Sequence, residues 1–428
     1  MNTHPTRKRG RALIAADGRF SSGGVLARLG ARAPGALFHK MLDRIDSGLA
    51  VGAIETHLPD GTVRLLGGRA DGPMAVVHLT SWSALVRLAL SGSVGWYRAW
   101  ERGEWRSADP VPLFDLFNRN AATLGNSARA RGPWRWVNRV MHALRRNSRG
   151  GSRRNILAHY DLGNDFYRQW LDANMVYSSA LFSDPGEPLE QAQMNKIDAA
   201  LDRLDLHSGG RLLEIGCGWG ALGRRAIERH DVFYTGITLS DEQVAVVQSS
   251  LAAMGADAQG SRAMICDYRD VDGQYDAVAS IEMVEAVGQR YWPDFFAAVA
   301  GALRPGGRAA LQFITIADDL FDAYAASADF IQAYVFPGGC LISERQFRAL
   351  AADHGLDWVD EYAFGVDYAE TLKQWRVRFD DAVAAHRLPA GFDDRFVALW
   401  RFYMMYCEGG FRGGGINVMQ VTLVKAAP

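Results

Sequence analysis

The densest chemical signal in the chain is LLEIGCGWG (212–220). An apolar run carrying an acid, Glu214, opens onto glycines at 216, 218 and 220. Glycines in this pattern let the backbone turn tightly and approach a ligand closely, and a helix that follows offers unpaired N–H groups. The spacing is G-x-G-x-G. It differs from the G-x-G-x-x-G dinucleotide fingerprint, and no Gly-Lys-Ser/Thr follows, so the pattern predicts a bound small cofactor and argues against nucleotide hydrolysis. Further acids, hydroxyls and aromatics stand where such a cofactor would lie. GITLSDEQ (236–243) presents Thr238 and Ser240 where an acid for ribose hydroxyls is usual, and CDYRD (266–270) places Asp267 and Tyr268 to hydrogen-bond and cover an adenine. Glu285 lies just beyond the apolar run YDAVASI (275–281) and reads either as a proton-transfer group or as a helix cap. Tyr368, in FGVDYAETL (364–372), is either an electron-rich ring beside a passing cation or a half-buried core tyrosine.

The elements that must position these groups follow an α/β pattern from about Asn155 onward. RLLEIG (211–216), VFYTGITL (232–239), RAMIC (262–266), YDAVASI and RAALQFITI (308–316) have strand length, with helical segments between them, which predicts a parallel sheet. INVMQVTLVK (416–425) reads as a last strand, at an edge or antiparallel. The earlier part reads as a small α+β domain. THLPDGTVRLLGG (56–68) is a hairpin around an Asp-Gly turn, AVVHL (75–79) is a strand, and residues 81–105 begin with helical periodicity. Between the two parts, residues 129–154 hold nine arginines and no acid, with Trp134, Val137, Met141 and Leu144 at helical spacing. That segment is either a basic amphipathic surface for an anionic membrane or an interdomain helix with solvated arginines.

Composition narrows the class. Hydrophobic residues make up 48% and charged residues 22% of the 428, an ordinary globular balance. Lys+Arg (47) against Asp+Glu (48) excludes a uniformly basic nucleic-acid binder. The four cysteines form neither a disulfide framework nor a zinc spacing, so no metal site is expected and a reducing compartment is the simpler reading. No uncharged apolar run reaches the ~18 residues of a membrane span, and the first residues lack the apolar core of a secretory signal.

The glycine loop with its preceding acid resembles motif I of class I S-adenosylmethionine methyltransferases. Together with HYDLGNDFYRQWLDANMVYSSALF (159–182), SIEMVEAVG (280–288), FPGGCL (336–341) and EGGFRGGGINVMQVTLVK (408–425), it resembles the cyclopropane fatty acid synthase family. The likeness covers about 155–428 and extends more weakly through GWYRAWERGEW (95–105). SIEMVEAVG with LQFITI (311–316) is similar to the branch that makes methylene- or methyl-branched chains of the tuberculostearic acid type. The resemblance implies an α/β fold: a class I methyltransferase Rossmann-like sheet with a helical cover over the acyl site, plus the small α+β N-terminal domain. The implied domains are 1–128, a basic helix and linker at 129–154, and a methyltransferase domain at 155–428.

It also implies the chemistry. Methyl transfer from S-adenosylmethionine to the double bond of an unsaturated phospholipid acyl chain leaves a carbocation. A base then removes a proton from the new methyl, directly to close a ring or after a hydride shift to leave a methylene branch. In the family that base is a bound bicarbonate, and the matching positions are Ser179, Glu285, Gln312, Ile314 and Tyr368. Ser179 and Gln312 depart from the family's Cys and His: the Ser179 hydroxyl can still donate, whereas the Gln312 amide cannot change charge. Without the ion, Glu285 itself is the base candidate. Glu282, where the cyclopropane enzymes have a small residue, either alters the pocket or is solvated. The implied cofactor contacts are Tyr177, Ser178, Glu214, Gly216, Gly218, Thr238, Leu239, Gln243, Asp267 and Tyr268. Further expectations are a homodimer, cytoplasmic and peripheral at the inner membrane face, a reductase acting on a methylene product, and no nucleic-acid partner. The rivals are a methyltransferase with another small lipid or soluble acceptor, and a non-catalytic lipid-binding homologue.

Overall fold

The computed structural model describes residues 9, 10, 13, 35–125, 162–326 and 329–427. The basic segment 129–154 lies outside the described residues. The chain forms two compact units, one from residues 1–145, 319–337 and 390–416, the other from 146–318, 338–389 and 417–428. The sequence reading divides the chain contiguously, whereas here two later segments return to the first unit.

The first unit holds a four-stranded sheet in the order β2-β1-β3-β4, from β1 (Ala53–His57), β2 (Val63–Gly67), β3 (Met74–Leu79) and β4 (Trp105–Arg106). The Asp-Gly turn closes the antiparallel β1–β2 hairpin, with His57 opposite Val63, while β3 runs parallel to β1. The helix Ser83–Glu101 is kinked at Gly92, which adopts φ 56° and ψ −137°, a backbone that a Cβ would strain. Small residues explain why the later segment joins this unit. Gly409 on the helix Asp394–Arg412 and Gly413 at its C-cap lie against Phe114 and Asn118 of the helix Val111–Arg119, so closely that a Cβ at either position would overlap them. Part of the motif EGGFRGGG therefore serves helix packing.

The second unit is the α/β body. Its strands are β5 (Arg211–Ile215), β6 (Phe233–Thr238), β7 (Arg262–Ile265), β8 (Tyr275–Ile281), β9 (Leu303–Ile316), β10 (Ile342–Ser343), β11 (Leu356–Ala363) and β12 (Ile416–Lys425). They form a sheet ordered β11-β12-β9-β8-β5-β6-β7, with β10 paired to β9. β5, β6, β7, β8 and β9 run parallel, while β11 is antiparallel to β12. The last strand is not at an edge, because β11 covers it. That accounts for its near-continuous burial, while β11 is exposed from Val359 onward. The strand order reverses between β5 and β8, so the crevice beyond their C-terminal ends is where an open α/β sheet takes its ligand.

Candidate active site

All ten expected cofactor contacts line one cavity at that crevice. The loop after β5 forms its floor. Gly216, Gly218 and Gly220 sit at φ 81°, 50° and 82°, a region that other residues enter only with strain. The amides of Gly216 and Cys217 both donate to Ile237 O, which pins the loop to β6. A Cβ at Gly216 would come within 2.9 Å of Met283 Cγ. On β5, the Glu214 carboxyl accepts from Tyr234 Oη at 2.5 Å, and burial pushes its pKa up to about 8. The Tyr234 ring fits only because Gly223 and Gly236 lie against it. Thr238 Oγ1 donates to Gln243 Oε1 at 2.7 Å, while Ser240 caps the helix Asp241–Met254 by accepting from Gln243 N. Asp267 is gripped by Arg269 at 2.8 and 2.6 Å, and burial pushes the Tyr268 phenol up. Tyr177 packs its ring among Tyr167, Trp170 and Trp375. Trp219, which the sequence reading did not select, also lines the cavity and donates to Asn164 Oδ1 at 2.7 Å.

The five expected catalytic residues gather beside this cavity, with Glu282, expected either to alter the pocket or to be solvated, lying among them. Glu282 is their hub. Its Oε1 accepts from Ser179 N at 2.8 Å and from Gln312 Nε2 at 2.8 Å, and its Oε2 accepts from Tyr368 Oη at 2.6 Å. Glu282 sits at φ 51°, a rare conformation for a residue with a side chain, of a kind that clusters at active sites. Its N–H is tied to Gln312 O at 2.7 Å. Burial raises its pKa, while the three donors and nearby Lys196 oppose the rise.

Each arm of this cradle has its own cause. Ser179 meets Glu282 with its main-chain amide. Its hydroxyl is spent on Ala180 O at 2.9 Å, so the expected donation by the side chain does not occur. The amide does not depend on residue type, so serine or cysteine would present it equally. The Gln312 amide is oriented by a relay. Arg203 Nε donates to Gln420 Oε1 at 3.3 Å, and Gln420 Nε2 donates to Gln312 Oε1 at 3.0 Å, which turns Gln312 Nε2 toward Glu282. Tyr368 is held edge-on to Trp375 in the helix Gly365–Ala384.

Glu285 accepts from Ile314 N through Oε1. Its Oε2 is sealed from solvent without a partner among the described residues. Burial and the neighbouring Glu282 push its pKa up to about 8, so near neutral pH Glu285 is a carboxylic acid rather than a base. The two carboxyls differ in their surroundings: Glu282 accepts from three donors and lies near Lys196, whereas Glu285 accepts from one main-chain amide. Lys196, Gln420 and Arg203 were absent from the sequence reading. The only local signal for Glu282 was the E-x-x-E spacing of SIEMVEAVG.

The family model for mycolic acid cyclopropane synthetase matches residues 147–421, which include both the cavity and the carboxyl pair. The chain belongs to this family. It is 38% identical over 398 residues to a tuberculostearic acid methyltransferase of Mycobacterium tuberculosis, covering 87% of this chain and 89% of that one. It is 35% identical over 269 residues to a cyclopropane-fatty-acyl-phospholipid synthase of Escherichia coli, covering 62% and 66%. The solved structure of a Mycobacterium tuberculosis cyclopropane synthase superposes with a TM-score of 0.60 at 32% identity, covering 64% of this chain and 98% of that one. A mycolic acid cyclopropane synthase crystallised with SAH and CTAB matches equally, with a TM-score of 0.60 at 32% identity and the same coverage. The chain is thus an S-adenosylmethionine-dependent methyltransferase of the cyclopropane fatty acid synthase type with a class I fold.

The cavity suits that cofactor. The glycine loop leaves open space at Gly218, where an added Cβ would meet nothing within 4 Å, and Glu214 lines the same cavity. The bicarbonate implied by the resemblance does not suit its expected residues. Ser179 N, Gln312 Nε2 and Tyr368 Oη already serve Glu282, and Ile314 N serves Glu285. A further anion would find these four donors taken and two carboxyls beside it. Among the described residues, no group of three or more His, Cys, Asp or Glu is arranged to hold a metal ion.

Proposed function

We propose that the chain methylates the double bond of an unsaturated phospholipid acyl chain, that the Glu282 carboxylate removes the proton, and that the product carries a methylene branch. Convergence of Ser179 N, Gln312 Nε2 and Tyr368 Oη on one carboxylate supports this reading. Three donors hold that carboxylate in one orientation, as a base must be held. The bound S-adenosylmethionine would supply an electrophilic methyl to the alkene π electrons, leaving a carbocation on the acyl chain. Glu282 then takes one proton from that cation, and its C–H electron pair becomes the new bond. A hydride shift first moves the positive charge onto the methyl-bearing carbon, and loss of a proton from the new methyl then gives the methylene branch; loss from the methyl without that shift would close a ring. Protonated Glu285 is no rival base, and it keeps a second negative charge from forming beside Glu282. The name of the relative that matches along nearly the whole chain favours the branch.

Among the described residues no helix is long and apolar enough to cross a membrane. We therefore propose that the acyl chain is taken from the bilayer surface at its inner face, with the basic segment 129–154 as a contact. A saturated methyl branch needs a hydride, which no side chain supplies, so a separate reductase would complete it. A homodimer remains part of this proposal.

The test is incubation with S-adenosylmethionine and vesicles of a monounsaturated anionic phospholipid, with and without added bicarbonate. Released acyl chains are read by mass spectrometry and proton NMR. A gain of one CH2 with exocyclic methylene protons, at a rate that bicarbonate changes less than about twofold, is the expected result. Cyclopropane protons would overturn the branch assignment. A rate that depends on bicarbonate would overturn Glu282 as base.

A further inference from the structure

The chain has five lysines among 47 basic residues, and one of them, Lys196, is almost wholly enclosed at 1% exposure in the helix Leu189–Asp202. Its ammonium donates to Ser178 Oγ at 2.7 Å. The carboxyls that act on it through space are Glu282 first, then Asp172 and Glu214. Asp172 is itself occupied by Val176 N at 2.7 Å and Asn174 N at 2.9 Å, and Glu214 by Tyr234. Lys196 also stands behind two arms of the Glu282 cradle. Its side chain holds Ser178, the residue before the Ser179 amide. Its carbonyl accepts from Gln420 Nε2 at 3.0 Å, and the same Gln420 amide group orients Gln312.

We propose that Lys196 is a positioning residue for the base: its buried ammonium is the counter-charge that keeps Glu282 ionised. This rests on the reading of Glu282 as the base. Four carboxyls, Glu282, Glu285, Glu214 and Asp172, crowd this interior. Among the described residues, the charged or titratable groups facing Glu282 are Lys196 from its helix, Tyr368 from the helix Gly365–Ala384, and Glu285 three residues on; Ser179 and Gln312 add neutral donors. Lys196 is the cation of the set. In a poorly solvated interior, removing an opposite charge moves a carboxyl by about 1–3 pKa units. Burial lowers the Lys196 pKa to about 8, so the ammonium persists near neutral pH.

Two variants separate charge from hydrogen bonding. Lys196→Met removes both. Lys196→Gln retains a donor for Ser178 and removes only the charge. With vesicle substrate, the acid limb of the kcat profile should move up by about one pH unit or more in both. A one-unit shift lowers the rate by up to about tenfold on that limb, and well above it the variants approach the parent rate. An unshifted limb in Lys196→Gln, or a loss that persists unchanged at high pH, overturns the proposal. The coupling must also be reciprocal. With five lysines, ¹³C NMR of the labelled side chains can follow Lys196 alone, and Glu282→Gln should lower its titration point by a comparable amount. An unmoved titration overturns the proposal even where a Lys196 variant does not fold. The two readings fail separately. An active Glu282→Gln enzyme removes the base assignment itself, whereas an inactive one with unshifted Lys196 variants removes only the role of Lys196.

Discussion

At the cofactor end of the methyltransferase unit, one short stretch of main chain makes the ligand floor. Gly216, Gly218 and Gly220 turn at positive φ within five residues. A few ångströms of sheet away, at the proton-removing end, no stretch of chain contributes more than two groups. Ser179 comes from an extended segment, Glu282 and Glu285 from the end of β8, Gln312 and Ile314 from β9, Tyr368 from a late helix. The first end is specified by backbone shape, which a single added methyl can spoil. The second is specified by mutual satisfaction of polar groups, in which losing one member leaves others buried and unpaired. The two ends should therefore break differently.

The largest break is expected at the hub. Glu282→Gln keeps size and most hydrogen-bond capacity but removes the basic lone pair. A positioned general base contributes about 10²–10⁴-fold, so kcat should fall by that order while affinity for S-adenosylmethionine, measured by calorimetry, stays within a few fold. A kcat within tenfold of the parent would move the proton to another acceptor and dissolve the contrast between the two ends.

The complementary break is Gly216→Ala. Its φ of 81° and the approach of a new Cβ to Met283 Cγ at 2.9 Å both disfavour the substitution. Strain and crowding of this kind cost about 1–3 kcal/mol. Cofactor affinity should fall roughly tenfold or more, and kcat at saturating cofactor should fall much less. If kcat falls as steeply as in Glu282→Gln, the two ends do not act as separable parts.

This contrast also explains what could be read in advance. The glycine loop and the parallel strands were legible because each belongs to a local pattern, a strand or a turn, whereas Tyr177 and Ser178 came from the family resemblance; all ten expected contacts line the cavity. The order of the sheet's far edge was not legible: of the two alternatives for β12, an edge or an antiparallel strand, the antiparallel one holds, and exposed β11, which lacks a run of buried positions, takes the edge. The return of residues 390–416 to the first unit depends on Gly409 and Gly413 fitting against Phe114 and Asn118, a long-range match with no periodic trace. Glu282 was seen but its role was not. Nothing near it in the chain shows that Ser179, 103 positions earlier, and Tyr368, 86 later, point at its two oxygens. The Ser179 and Gln312 departures, read singly, suggest a weakened ion site; read with Glu282, the Gln312 side-chain amide becomes one arm of a cradle for a carboxylate built into the chain, to which Ser179 adds its main-chain amide.

The smallest of these effects is also the one that tests the cradle most finely. Tyr368→Phe deletes the hydrogen bond to Glu282 Oε2 and leaves the ring beside Trp375. Hydrogen bonds to charged groups are worth about 1.5–3 kcal/mol, and this one favours the ionised form. Burial already raises the Glu282 pKa, and losing the phenol raises it further. Activity requires the carboxylate, so it is present above that pKa and is lost as pH falls through it. The acid limb should therefore move to higher pH by about one unit, with kcat on that limb reduced by up to about tenfold and restored in more alkaline buffer. Ser179 N and Gln312 Nε2 continue to hold Oε1, so the loss should remain well short of that in Glu282→Gln. A uniform drop at every pH would mean that Tyr368 serves the cation or the acyl chain directly rather than the base, and the hub would then rest on two donors instead of three.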